Sequence, residues 1–184
     1  MTKSQPRSQA TRERIAAAAR LVFARVGYER ATIRAIADEA DIHASMVMRY
    51  HGSKEALFAT AVPFDLRLPN LDEIPVDQRG VTLVRHFWDR WENGGEELPA
   101  LLRAAVSQEA ARARMTAIFE QQLVAAISRT GDPATVPARA ALIASQMLGL
   151  ALTRYVLAFE PAQNLDRDFV AKHLGASIQA YLDA

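Results

Sequence analysis

Apolar positions recur at intervals of three and four along almost the whole chain, and no stretch alternates with period two, so the pattern predicts an all-α fold of about nine helices. The spacing is tightest near the N-terminus. Ile15, Ala18, Ala19, Val22, Phe23 and Val26 predict a helix over about residues 9–26, stopped by Gly27. Ile33, Ile36, Ala37 and Ala40 then fall at i, i+3, i+4 and i+7, with Thr32 in place to cap the helix they define. Asp41 makes the turn, because aspartate is one of the few residues besides glycine that tolerates a left-handed backbone. A short helix from about His43 to His51 turns Val47 and Tyr50 inward behind Ile42, which leaves Ala44, Ser45, Met48 and Arg49 outward and Met46 at the flank. Gly52 stops it, and Ser53 caps a fourth helix that reaches about Val62 before Pro63. Ahead of these helices runs an arm, Thr2 to Ser8, with Lys3, Pro6 and Arg7, expected to be disordered without a partner.

The segment PFDLRLPNLDEIPVDQ holds Pro63, Pro69 and Pro75, which rules out a long regular element and marks a link between domains. Beyond it the pattern predicts helices over about residues 77–93, closed by Gly94 and Gly95, then about 98–106 and 110–129. Two more follow, at about 138–159 and 166–182, separated by Pro161. The expected division is a three-helix helix-turn-helix domain with its roofing helix over residues 1–63, and a helical ligand-binding and dimerisation domain over residues 64–184.

Two short helices joined by a tight turn also occur as plain packing hairpins. Here the outward side of the second helix is small and carries an arginine, the combination that lets a helix sit in a DNA major groove and pair a guanidinium with guanine. Lys54, at the start of the next helix, lies where a phosphate meets both an ammonium and free backbone N–H groups.

The run GYERATIRAIADEADIHASMVMRYHGSKEALF, Gly27 to Phe58, resembles the DNA-binding motif of the TetR (tetracycline-repressor) family of bacterial transcriptional regulators. The resemblance implies that Thr32 and Lys54 hold phosphates, and that Ala44, Ser45, Met46, Met48 and Arg49 face bases or backbone; Tyr50 completes the expected DNA-contacting set. The sequence departs from the family pattern at Asp41 (usually glycine), His43 (serine or threonine), Met46 (threonine), Met48 (tyrosine) and His51 (phenylalanine). These changes bear on contacts more than on fold, since a methionine cannot hydrogen-bond a phosphate as a tyrosine does. They also motivate the alternative function, an interaction protein or small enzyme of TetR-like fold that has lost DNA affinity.

Charge sharpens the division. Residues 1–63 hold 10 Lys+Arg against 6 Asp+Glu, net +4, and residues 64–184 hold 12 against 15, net −3, so the basic half is the half with the motif. The arginines of the first helix, Arg12, Arg14, Arg20 and Arg25, are expected on a solvated face. There is no cysteine, hence no disulfide framework or thiolate metal site, and the polar N-terminus does not look like a secretory signal. The longest uncharged apolar run, residues 140–153, is too short to span a membrane. His86 and His173 have no second metal ligand at helical spacing, and no G-x-S-x-G, H-E-x-x-H or Gly-rich phosphate loop is present. The expectation is a cytoplasmic protein with no enzymatic activity and no cofactor.

The helix from about residue 138 is apolar nearly all round and needs cover on two sides. With the last helix it is expected to form half of a four-helix homodimer seam through Leu148, Leu152, Val170, Leu174, Ile178 and Tyr181; a monomeric bundle with a thick core is the alternative. Phe87, Trp88, Trp91, Met115, Phe119, Met147 and Tyr155 are candidates to line a pocket for a hydrophobic effector, as the family resemblance implies, although each such residue taken singly is as well placed for core packing. Double-stranded operator DNA, a second copy of the chain and a small hydrophobic effector are therefore the expected partners.

Overall fold

A computed structural model of the chain describes residues 5–62, 64–93 and 97–184. The outer arm with Lys3, the stop at Pro63 and the Gly94–Gly95 closure lie outside them. Every regular element among the described residues is helical. In chain order these are α1 (Gln5–Arg30), α2 (Ile33–Glu39), α3 (Ala44–His51), α4 (Lys54–Ala61), α5 (Arg79–Asn93), α6 (Glu97–Ser107), α7 (Glu109–Ile118), α8 (Ala125–Ile127), α9 (Val136–Ala151), α10 (Glu160–Gln163) and α11 (Arg167–Asp183). The two long helices predicted over 110–129 and 138–159 each change pitch part-way: π-helical stretches Phe119–Val124 and Leu152–Val156 follow α7 and α9. Pro161, expected only to separate helices, sits in the first turn of the short α10, where its missing N–H costs nothing. α1 also starts earlier than expected, taking in part of the predicted arm from Gln5 onward.

The chain divides into two compact units. Residues 1–64 and 96–115 form the first; residues 65–95 and 116–184 form the second. Its division is thus not a single cut near residue 63: α6, expected among the second set of helices, contributes the fully buried Ala100 to the first core. That core is built on Ile15, Ala19, Val22, Ile36, Val47 and Leu57, all at most 1% exposed. The stripe read from α1, α2 and α3 is the stripe that is buried.

In the second unit α5 and α11 cross in backbone contact. A Cβ on Gly80 would lie 2.3 Å from the Gly175 carbonyl oxygen, and one on Gly175 would lie 2.9 Å from Val81 Cα. The Gly80 N–H donates to Gln179 Oε1 across the same crossing (2.9 Å). Val170 (6% exposed) and Ile178 (0%) lie in this unit's own core with Leu83, Val84, Trp88 and Leu182, and Leu174 and Tyr181 pack partly against it. Val170 and Ile178 are therefore withdrawn from the expected seam, because a side chain buried in the core of its own chain is not available to a partner.

The uncharged run 140–153 lies inside a longer helical stretch. Residues Pro133–Val156 form a 24-residue helical stretch with an 18-residue window of mean hydropathy 1.3, long and apolar enough to cross a membrane by length and composition, and 28% of that window is buried. Arg139, within it, is 3% exposed, and its guanidinium donates to Thr130 O (2.5 Å), Asp132 O (3.0 Å), and the Tyr181 and Leu182 carbonyls at the end of α11 (3.3 Å each). Those bonds tie the stretch into its own unit, and a buried cation satisfied by five or more fixed dipoles is a poor fit to a lipid core.

Candidate nucleic-acid interface

α2 begins at Thr32, whose extended backbone (φ −120°) and Oγ1, accepting the Ala35 N–H at 3.1 Å, make a side-chain N-cap. Thr32 is exposed, and with its oxygen serving as acceptor its O–H is left to donate. α2 ends in a Schellman motif. The Asp41 N–H bonds Asp38 O and the Ile42 N–H bonds Ala37 O, with Asp41 in the left-handed region (φ 50°), where the family usually has glycine. Aspartate keeps the turn at a modest conformational cost.

α3 forms with the inward and outward faces expected from the spacing. Val47 is fully buried, Tyr50 and Ile42 pack against the core, and Ser45, Met48 (44% exposed) and Arg49 face solvent, with Ala44 and Met46 half-buried. His43 stands at the N-cap without a side-chain cap bond, the local consequence of replacing serine or threonine. Gly52 (φ 78°) ends α3, and Ser53 Oγ caps α4 by accepting the Ala56 N–H (3.0 Å).

The arginines of α1 are more engaged than expected. Arg20 Nε caps the C-terminus of α4 through Ala61 O (2.6 Å), Arg25 pairs with Glu39 of α2 (3.1 Å), and the Arg12 guanidinium lies 5.9 Å from the centre of the Tyr50 ring. Arg49 stacks over the same ring at 5.3 Å. His51, in place of phenylalanine, is half-buried with its Nε2 unpartnered; burial holds its pKa below the usual imidazole value, against a weaker upward pull from a hydrogen bond to the Arg12 backbone. Lys54 is also occupied: its ammonium sits 4.3 Å over the Tyr28 ring and donates to Glu29 O at 3.3 Å. Tyr28 was not among the residues expected from sequence to act here; it lies just past Gly27, where the first helix was expected to stop.

The chain matches the family model of bacterial regulatory proteins of the tetR family over residues 15–61, and the tetracyclin repressor-like C-terminal domain model over residues 77–182. It belongs to the TetR family. It is a TetR-family transcriptional regulator, with the family's DNA-binding domain at its N-terminus and an all-helical C-terminal domain. Among solved structures it is similar to a TetR-family regulator from Streptomyces coelicolor A3 (28% identity, 99% of each chain covered, TM-score 0.46). It is also similar to a transcriptional regulator from Rhodococcus sp. Rha1 (24% identity, 94% of this chain and 98% of that one, TM-score 0.48). A third is the multidrug binding protein EbrR complexed with malachite green (20% identity, 94% and 98% covered, TM-score 0.47). No curated protein sequence matches the chain.

The expected effector residues do not come together as one open pocket. Trp91 stacks on Tyr155 (5.2 Å, 13°) and tilts against Phe87 (5.6 Å), while the Arg154 guanidinium covers Trp88 at 4.3 Å. Trp88 and Trp91 are 7% and 5% exposed. The Tyr155 hydroxyl donates to Glu92 Oε1 (2.9 Å), and burial followed by that bond pushes its pKa up to about 12. Phe119 and Met147 pack against the second core, whereas Met115 falls in the first unit. A cavity of about 530 Å³ lies elsewhere in the second unit, between Leu68, Asn70 and Asp72 of the loop after α4 and Gln122, Ala126 and Arg129. Gln122, on the π-helical stretch, accepts the Leu66 N–H of that loop (2.7 Å). Among the described residues no three His, Cys, Asp or Glu side chains are placed to share a metal ion.

Proposed function

We propose that this TetR-family regulator is a repressor that binds a near-palindromic operator as a homodimer and is released when a small molecule binds its C-terminal half. The observation that carries the reading is the reading helix itself: Ser45, Met48 and Arg49 are exposed on one side of α3, and Val47 is locked into the core on the other. On this reading Arg49 pairs with a base edge and Ala44, Ser45, Met46 and Met48 line the groove. Thr32 donates its hydroxyl to one phosphate and Lys54 meets another, while Tyr50 holds its ring behind Arg49.

The dimer half of the reading rests on surface left uncovered. On α9, Ala138, Ala141, Leu142, Ser145, Gln146 and Gly149 are exposed at helical spacing, and on α11 so are Phe169, Lys172, His173, Ala176, Ser177 and Ala180. Leu142 and Phe169 are 46% and 54% exposed. Leu148 and Leu152, half-buried, flank the α9 face and stay in the proposed seam, as does Tyr181 at its edge. Regulators of the family typically act as dimers and bind small-molecule effectors. For this chain the aromatic cluster of Phe87, Trp88, Trp91 and Tyr155 supports a hydrophobic effector that would have to part the Trp91–Tyr155 stack to enter. The proposed workplace is the cytoplasm, where operator DNA is.

The test is a salt titration of binding to a mixed-sequence duplex and to fragments selected from the source genome. A steep fall in affinity with salt, and tighter binding to the selected fragments, are expected. Absence of binding to either at low salt would replace this reading with the alternative of a TetR-like protein without DNA affinity.

A further inference from the structure

The start of α4 carries a conflict of charge. Lys54 is its first residue and Glu55 its second, so a carboxylate stands beside the ammonium that the proposed function aims at a phosphate. One side chain touches both. The face of Tyr28 lies 4.3 Å from Lys54 Nζ, and the Tyr28 hydroxyl donates to Glu55 Oε1 at 2.8 Å. Lys54 is held from a second direction by the Glu29 carbonyl near the end of α1 (3.3 Å). Tyr28 is itself fixed, with its ring 4.9 Å from Phe58 and 6.1 Å from Phe23.

The two carboxylate bonds have a direction. Glu55 is drawn back onto its own backbone N–H and under the Tyr28 hydroxyl, and both interactions hold its pKa below the usual carboxylate range. Tyr28 answers with a pKa pushed well up, by burial first and by Glu55 second, so it stays a neutral donor. Phenylalanine would fill the same space against Phe23 and Phe58; packing gives no reason for the hydroxyl.

We propose that Tyr28 is a positioning residue for DNA binding: its ring holds the Lys54 ammonium at the start of α4, and its hydroxyl holds the Glu55 carboxylate back from the phosphate that Lys54 meets. This rests on Lys54 being a phosphate contact. The ring and the hydroxyl therefore have separable consequences. Removing the hydroxyl leaves the lysine in place and frees a negative charge near the phosphate, which lowers affinity on every sequence. Removing the ring lets the lysine swing away, which loses a phosphate contact.

The experiment measures full-length protein binding a mixed-sequence duplex by fluorescence anisotropy, from roughly 50 to 200 mM salt, the range over which phosphate contacts dominate. Tyr28→Phe is expected to weaken binding about three- to tenfold at the low-salt end with an unchanged salt slope, the size expected for one nearby partly screened charge. Adding Glu55→Gln to Tyr28→Phe is expected to restore wild-type affinity. Tyr28→Leu is expected to flatten the salt slope by about 0.9, as Lys54→Ala does, and the double variant Tyr28→Leu/Lys54→Ala to bind no worse than Tyr28→Leu alone, because the lysine contact is already lost there. In the free protein, the Lys54 ε-methylene protons are expected at ring-current-shifted positions that move to ordinary values in Tyr28→Leu.

Tyr28→Phe binding as wild type, or a Tyr28→Phe loss that Glu55→Gln does not repair, overturns the proposal. Tyr28→Phe and Glu55→Gln keep the aromatic packing, so the outcome does not depend on Tyr28→Leu folding. If Lys54→Ala itself changes neither affinity nor slope, the fault lies in the phosphate contact of the proposed function; if Lys54→Ala flattens the slope and Tyr28→Phe does nothing, it lies here.

Discussion

Phe169→Glu is expected to split the dimer while leaving each protomer folded. Phe169 keeps 54% of its surface in water, on the side of α11 turned away from the core, where it lies against His173 (ring centres 4.4 Å apart). A phenylalanine offers roughly 150–250 Å² of apolar surface, so about 100 Å² of it is uncovered in the protomer. Covering that area contributes about 2.5 kcal/mol at ~25 cal/mol per Å², and two-fold symmetry counts it twice, about 5 kcal/mol per dimer. Glutamate forfeits this and places two carboxylates near the same seam. The dimer dissociation constant should rise by roughly a thousandfold or more.

Ile178→Arg makes the contrast. Ile178 is fully buried in the protomer's own core, so an arginine there has no partner, and the expected result is an unfolded or aggregated chain rather than a folded monomer. Sedimentation velocity over a concentration series, with far-UV circular dichroism on the same samples, separates the two outcomes, and loss of operator binding should follow both. The reasoning is refuted if Phe169→Glu keeps the wild-type dissociation constant, or if the wild type is monomeric at micromolar concentration while still binding operator.

Arg49→Ala should cost roughly 1–3 kcal/mol on operator and relax specificity at one base position per half-site, whereas Lys54→Ala should weaken all sequences alike; equal losses on operator and random DNA for Arg49→Ala would remove it as a base reader. His51→Phe should raise stability by about 1 kcal/mol, because it removes a buried nitrogen that has no partner, and thermal melts at neutral pH check it. The pH sign is fixed by the lowered pKa of His51: below the ordinary imidazole value the unfolded chain takes up the proton before the folded one. Wild-type stability should therefore fall as pH drops from about 6.5 toward the lower folded-state value, and fall less in His51→Phe. Gly175→Ala should destabilise by about 1–3 kcal/mol despite a helix-propensity gain of up to about 1 kcal/mol, since its Cβ would meet Val81 backbone at 2.9 Å, and denaturant unfolding at fixed protein concentration would expose the error if it came out stabilised.

The DNA-binding end was legible because local rules decide it. Thr32, Asp41, Gly52 and Ser53 each do what their residue type favours, and the stripe Ile36, Ala37, Val47 has a single core to face. The interactions that tune the site were not legible. Arg20 reaches Ala61 across forty-one residues, and Tyr28 reaches Glu55 across twenty-seven, distances over which helical spacing says nothing. Arg139 is buried among the 130–132 loop and the end of α11, partners that its place at a helix start does not announce. Phe87, Trp91 and Tyr155 interlock as one aromatic cluster, and helical spacing could not tell such a cluster from the lined pocket it suggested.

The misplaced seam has a physical reason that reaches beyond α11. Periodicity reveals that a helix has an apolar stripe, not which neighbour the stripe faces. Val170, Leu174, Ile178 and Leu182 are the only strong stripe on α11, and a domain of this size has to satisfy its own core before it can spend apolar surface on a partner. The glycines decide the direction. With Gly80 and Gly175 at the crossing, α5 and α11 approach until backbone meets backbone, which forces the large side chains flanking Gly175 against α5 and Leu83, Val84 and Trp88 toward α11. What remains for a partner is the opposite side, small residues with Phe169 at one end. Away from Phe169, the proposed seam would gain stability from close helix approach around Ala176, Ala180 and Gly149 more than from buried bulk, so a single bulky or charged residue placed there should disturb assembly more than the loss of any one leucine from its edge.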